Sequence, residues 1–165
     1  MKKSAKFLVI CALFSIFYLS FGSVVSEAAS YTISWNLVKG KNLNWRNNSK
    51  YTTELNKGIN TWNAYSSGTI KTYSTGNTDV TVSDYSENSN TAGVTSSNRT
   101  IKLNKKLMDT YTSAKKQNVA THEFGHALGL GHSTSGNVMY AYTSTVTKLG
   151  QNDKDSFVAA KKKWN

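Results

Sequence analysis

The order of secondary-structure signals along this 165-residue chain predicts an α+β fold in a single domain. Three observations carry that prediction. Short stretches of alternating apolar and polar residues recur between residues 31 and 104. Apolar residues at helical spacing mark residues 50–66, 112–129 and 152–164. There is no internal repeat, no linker-like stretch and no proline to divide the chain.

The first 29 residues read as a processing segment. Lys2, Lys3 and Lys6 make a basic start, Phe7 to Phe21 is mostly apolar and uncharged, and Ser26-Glu27-Ala28-Ala29 offers small residues for cleavage after Ala28 or Ala29. A membrane anchor is the alternative, but the apolar run is short for a spanning helix and the small-residue site follows it directly. Ile10 before Cys11 argues against a lipoprotein signal. A signal peptide over 1–29 is therefore expected, leaving a secreted, extracellular domain of residues 30–165 with no membrane anchor.

Within that domain, residues 31–35 (YTISW) alternate and read as a strand, which 42–46 extend or pair with. Tyr51, Leu55, Ile59, Trp62 and Tyr65 recur on one face of an amphipathic helix over about 50–66, stopped by Ser66-Ser67-Gly68. Residues 69–73 and 79–85 read as two strands joined by a Gly76-Asn77 turn. A polar loop over 86–91 leads to short strands at 91–95 and 99–104. The helix over 112–129 would bury Val119, Ala120, Phe124, Ala127 and Leu128, and the last, over 152–164, has Phe157, Ala160 and Trp164 on one side.

The chain carries 20 basic and 9 acidic residues, a net charge of +11; without Lys2, Lys3, Lys6 and Glu27 these fall to 17 and 8, a net +9. Small lysine clusters at 105–106, 115–116 and 161–163 suit a solvated surface, or attraction to an anionic cell-wall or surface polymer. No nucleic-acid partner is expected, because there is no binding motif and no basic-aromatic stripe. The one cysteine, Cys11, falls in the segment to be removed, so the mature domain has no disulfide. A monomer is expected.

The chemistry concentrates in residues 122–132, HEFGHALGLGH, which contain all three histidines. Residues four apart share a helix face, so His122 and His126 can reach one ion, with Glu123 beside them as candidate general base. His132 lies six residues past His126, about 9 Å further along a straight helix. The chain must turn back for it to join, and Gly129 stands where the turn is needed. Three histidines and an open fourth position are the ligand set of a catalytic zinc. A bare pair of histidines would more simply be packed or solvated side chains; the third, with a glycine at this offset, changes the balance. Asp79, Asp84, Glu87 and Asn88 are the calcium candidates, but their spacing matches no known loop and solvated polar residues explain them better.

This run, H-E-x-x-H-x-x-G-x-x-H, resembles the metzincin metalloproteases, and Ser133 directly after the third histidine resembles their matrixin branch. Asn137-Val138-Met139-Tyr140 stands where a Met-turn would follow, and residues 149–155 (LGQNDKD) resemble the start of the last matrixin helix. The resemblance is specific over 119–140 and runs from about residue 31 to the C-terminus.

It implies a zincin/metzincin-like fold: a twisted, mostly parallel sheet above an active-site helix, then a Met-turn and a C-terminal helix. It implies one catalytic zinc on His122, His126 and His132, and peptide-bond hydrolysis by a zinc-activated water with Glu123 as general base. Met139 would lie beneath the metal as a packed base. Gly93 would belong to the edge strand on which a protein or peptide substrate pairs by β-augmentation. Tyr142 is a candidate for touching substrate or oxyanion, with a place in the pocket wall the simpler reading.

The chain also departs from the family. Ala141 stands where matrixins usually have proline in the wall of the main specificity pocket. No histidine is spare for a structural zinc, and no cysteine remains for cysteine-based latency; little room is expected for a prodomain. A shortened 86–98 region implies an open cleft. A secreted zinc endopeptidase is the leading expectation. The rivals are a basic secreted binding module with a retained structural zinc site, and a zinc hydrolase that attacks peptidoglycan cross-links.

Overall fold

The computed structural model describes residues 29–73 and 76–164. The expected signal segment, Cys11 included, lies outside the described residues up to Ala28. Among the described residues no helix is long and apolar enough to cross a membrane.

The elements run β1 (Leu43–Asn48), α1 (Thr52–Tyr65), β2 (Ile70–Thr72), β3 (Val80–Tyr85), β4 (Gly93–Ser96), β5 (Thr100–Asn104), α2 (Lys105–Met108), α3 (Ser113–Ala127) and α4 (Gln151–Lys161). The five strands form one sheet in the order β2-β1-β3-β5-β4. β1 pairs parallel with β2 and β3, β3 pairs parallel with β5, and β4 closes one edge antiparallel to β5. The fold is α+β with a mostly parallel sheet.

One sheet face is apolar. Leu43 and Trp45, Val80 and Val82, and Ile101 and Leu103 are buried at alternate positions, whereas Lys102, between Ile101 and Leu103, and Arg46, next after Trp45, are exposed. This polar second face is why period-two patterning is visible in strands of a parallel sheet, which more often read as continuous apolar runs. Trp45 meets Phe124 of α3 edge to face at 5.5 Å between ring centroids. α1 packs along α3, and the Trp62 indole N–H donates to the Thr121 carbonyl at 2.9 Å. Phe157 of α4 stacks on Trp62 at 5.8 Å, joining the last helix to the same core.

Two expectations fail, and one element went unforeseen. Residues 31–35 form no strand beyond a single bridge, Thr32 to Leu130. They and the next residues bind the end of α3: Ile33 N–H donates to Gly129 O at 3.0 Å, Leu37 N–H to Ala127 O at 2.8 Å, and Gly131 N–H to Tyr31 O at 2.9 Å. Their alternation serves a packed extended segment rather than a sheet. Nor do β2 and β3 form a hairpin across Gly76-Asn77; they flank β1 on opposite sides, both parallel to it. A turn dipeptide says nothing about what lies between the strands it follows and precedes. α2 is a single turn whose N-cap, Asn104, accepts from the Lys106 N–H at 3.2 Å.

Candidate metal centre

α3 begins at Thr112, whose hydroxyl caps the Lys115 N–H at 3.4 Å. It ends in a Schellman arrangement. The Gly129 N–H donates to His126 O at 2.9 Å and the Leu130 N–H to Gly125 O at 3.0 Å, with Gly129 at φ 98°. A side chain at that φ is strained, so glycine is what lets the chain reverse. The bonds from residues 31–37 hold the reversed strand, and His132 returns to the face that carries His122 and His126.

The three rings converge, with centroids 4.6, 5.2 and 4.9 Å apart. One ring nitrogen of each lies within 4.8 Å of the others, and among the described residues this is the one such gathering of three His, Cys, Asp or Glu side chains. His122 Nδ1 stands 2.9 Å from Val138 O and His126 Nδ1 stands 2.8 Å from Leu130 O. A carbonyl only accepts, so both Nδ1 atoms carry the proton and leave Nε2 with its lone pair. His126 Nε2 and His132 Nε2 are 3.2 Å apart. Two nitrogens at the usual zinc distance and tetrahedral angle stand about 3.3 Å apart, so the donor set fits that ion. Burial, with the neighbouring His126 ring second, draws His122 down to about 3, and burial also lowers His126. Both are held neutral, the form that ligates metal.

Glu123 is also buried, with 5% of its surface exposed. Burial raises its carboxyl to about 7, opposed by a hydrogen bond from Thr95. The Thr95 hydroxyl lies 2.6 Å from Glu123 Oε2 and 3.0 Å from the Glu123 carbonyl. Gly93 leaves room for the carboxylate: a Cβ there would come within 2.6 Å of Glu123 Oε1. Histidines, carboxylate and β4 line a cavity of about 460 Å³, closed on its far side by Tyr140, Ala141 and Tyr142. A larger cavity of about 560 Å³, beside residues 33–39 and the end of α4, contains none of these groups.

Met139 is fully buried against Gly125 of α3, where any Cβ would collide with its Sδ. Its turn is pinned by the fully buried Asp153 of α4. Val138 N–H donates to Asp153 Oδ2 at 2.8 Å, Met139 N–H to Oδ1 at 3.0 Å, and Gly150 N–H to Oδ2 at 2.9 Å. The Ser133 N–H donates to Met139 O at 2.7 Å, joining the turn to the third histidine. Asp153 therefore fixes the turn whose Val138 carbonyl orients His122.

A model of the matrixin family matches residues 98–160. Over those residues, which hold the three histidines and the turn at Met139, the chain is similar to the matrixins. Among solved structures it is similar to a chain of the GM1-bound form of the ECX AB5 holotoxin, with a TM-score of 0.51 and 12% identity over 74% of this chain and 79% of that one. It is also similar to a chain in the structure of myroilysin, with a TM-score of 0.45 and 15% identity over 78% of this chain and 94% of that one. At such identity the first likeness speaks for the fold alone. No curated protein matches the chain.

Ala141 and Tyr142 occupy the cavity wall, with Tyr142 72% exposed and its ring 5.4 Å from Tyr140. Gly93 lines the same cavity from β4. The calcium candidates do not gather. Asp79 accepts from the Asn44 backbone and side-chain amides and pairs with Arg99, while Asp84, at the other end of β3, accepts from the Lys50 N–H. Two residues of the site have no motif to announce them, Thr95 and Asn118, which lines the cavity one turn before His122; Asp153 falls in the 149–155 stretch, which did not reveal its contact with the turn at Met139. Asn118 donates to Val146 O at 2.7 Å and accepts from the Ser144 N–H at 2.9 Å, tying that wall to α3. Asp153 also stands three residues after Gly150 at a helix start.

Proposed function

We propose that this matrixin-like chain is a secreted zinc endopeptidase. Secretion rests on the basic, then apolar, then small-residue pattern of residues 1–29. The single observation that carries the catalytic reading is the convergence of three imidazoles beside a buried carboxylate, in a cavity bordered by a strand edge.

His122, His126 and His132 would hold the ion through the nitrogens they leave unprotonated. Zinc so held supplies Lewis acidity toward a water and toward a carbonyl oxygen. Glu123 acts as general base and then general acid: it takes the proton of the attacking water and returns it to the departing amine. The Thr95 hydroxyl engages Glu123 Oε2. An extended peptide would add to the free edge of β4, its backbone satisfied by strand pairing and its side chains read by the wall of Tyr140, Ala141 and Tyr142. Tyr142, the most exposed of the large apolar side chains among the described residues, would contact substrate by its ring face.

Cleavage of fluorescently labelled casein by the chain from residue 30 onward, with and without a zinc chelator, tests this. Chelator-sensitive cleavage is expected. A folded, zinc-loaded chain that cleaves neither casein nor unfolded peptides contradicts it. Purified cell walls in a parallel arm separate a peptidase of proteins from one of peptidoglycan cross-links.

A further inference from the structure

β4 does two things with the same residues. The positions of β4 that face α3 are Gly93 and Thr95, two apart as strand geometry requires: Glu123 fills the space a Cβ at Gly93 would take, and the Thr95 hydroxyl meets its carboxylate. The backbone of β4 divides in the same register. The Asn104 N–H donates to Ala92 O at 2.8 Å and the Arg99 N–H to Ser96 O at 3.1 Å, so residues 92, 94 and 96 direct their backbone groups toward β5. In an antiparallel pair these directions alternate. Gly93 and Thr95 therefore present their N–H and C=O groups to the open edge of the sheet.

We propose that Thr95 is a positioning residue for Glu123, holding the carboxylate at the strand on which the peptide pairs. This rests on the reading of the chain as a peptidase with Glu123 as its base. A free glutamate side chain samples several rotamers; here the room at Gly93 and the hydroxyl of Thr95 select one. The hydroxyl has one proton, and the carboxylate at 2.6 Å is a closer and stronger acceptor than the carbonyl at 3.0 Å. The residues whose backbone would pair with the scissile segment are thus the residues that place the base, so peptide and base share one reference strand. A hydroxyl serving only to cap the Glu123 carbonyl would contribute to stability and not to turnover.

The test is steady-state kinetics of the zinc-loaded chain on a fluorogenic peptide, with zinc content and melting temperature measured for each variant. Thr95→Val keeps the volume and removes the hydroxyl; it is expected to lower kcat by about ten- to a hundredfold, the cost of misplacing a catalytic group by about 1 Å, with KM within about twofold. Thr95→Ser is expected to restore kcat to within about threefold. Thr95→Ala, which also lacks the hydroxyl but adds no bulk, is expected to match Thr95→Val and serves if valine disturbs folding. Wild-type kcat in the valine or alanine variant overturns the proposal, as does a serine variant no better than valine. A wild-type chain that is folded, zinc-loaded and inert overturns the peptidase reading itself, a result distinct from either.

Discussion

The two sides of the site are built by different means. On α3, His122, Glu123 and His126 stand within five residues, and helix periodicity alone puts the two histidines on one face. Opposite and beneath them, β4 and the turn at Met139 reach the same point from 28 residues before Glu123 and 14 residues before Asp153, the distances in sequence over which Thr95 and Met139 find their partners. The first side is local chemistry on a preformed helix. The second is tertiary structure, and it decides where the local chemistry points: Val138 orients His122, and Thr95 holds Glu123. A contiguous motif can therefore name the ligands and still not state what aims them.

Breaking the long-range side first should show the largest effect. Asp153→Ala leaves three backbone N–H groups without their charged acceptor in a fully buried place, and about 3–5 kcal/mol of stability is expected to go. Denaturant unfolding measures that loss, and zinc affinity should fall with it because His122 loses its orienting carbonyl. A variant of unchanged stability and zinc affinity would mean that the turn holds itself. Gly125→Ala should cost less, about 1–3 kcal/mol, as a methyl forces Met139 and Trp62 aside. A melting temperature equal to wild type would show that Met139 has room to move. The smallest change in stability belongs to Gly93→Ala on the edge strand, where the added methyl displaces Glu123; kcat is expected to fall about tenfold or more while zinc stays bound. Unchanged kcat would separate β4 from the base.

Much of the fold was legible where one residue type does one job. The buried face of α3 (Val119, Ala120, Phe124, Ala127, Leu128) follows from helical spacing, and all five are buried. The α1 stripe holds from Tyr51 to Trp62, while Tyr65, at the helix end, is 40% exposed and packs edge to face on Phe157. Patterning failed where pairing is non-local. Alternation in residues 31–35 cannot tell a sheet partner from the end of a helix, and the stretch from β2 to β3 carries no sign that β1 lies between them. In the site, the histidines, Glu123 and the turn at Gly129 were readable because their geometry is short-range. Thr95 and Asn118 were not, because a threonine in a strand and an asparagine in a helix have many commoner uses and gain their roles only from partners 28 residues away. The basic surface reads partly as packing: Lys116 lies 5.9 Å from the Tyr51 ring and Lys161 lies 5.7 Å from Trp164.

The most direct measurement compares wild type and Glu123→Gln for two quantities on the same preparations, zinc content and hydrolysis of labelled casein. Glutamine keeps the shape and the Thr95 contact and removes the base, so one zinc per chain with hydrolysis lowered by about a thousandfold or more is expected. A glutamine variant that holds its zinc and still cleaves casein at the wild-type rate contradicts the role assigned to Glu123, and with it the claim that β4 serves to place a base.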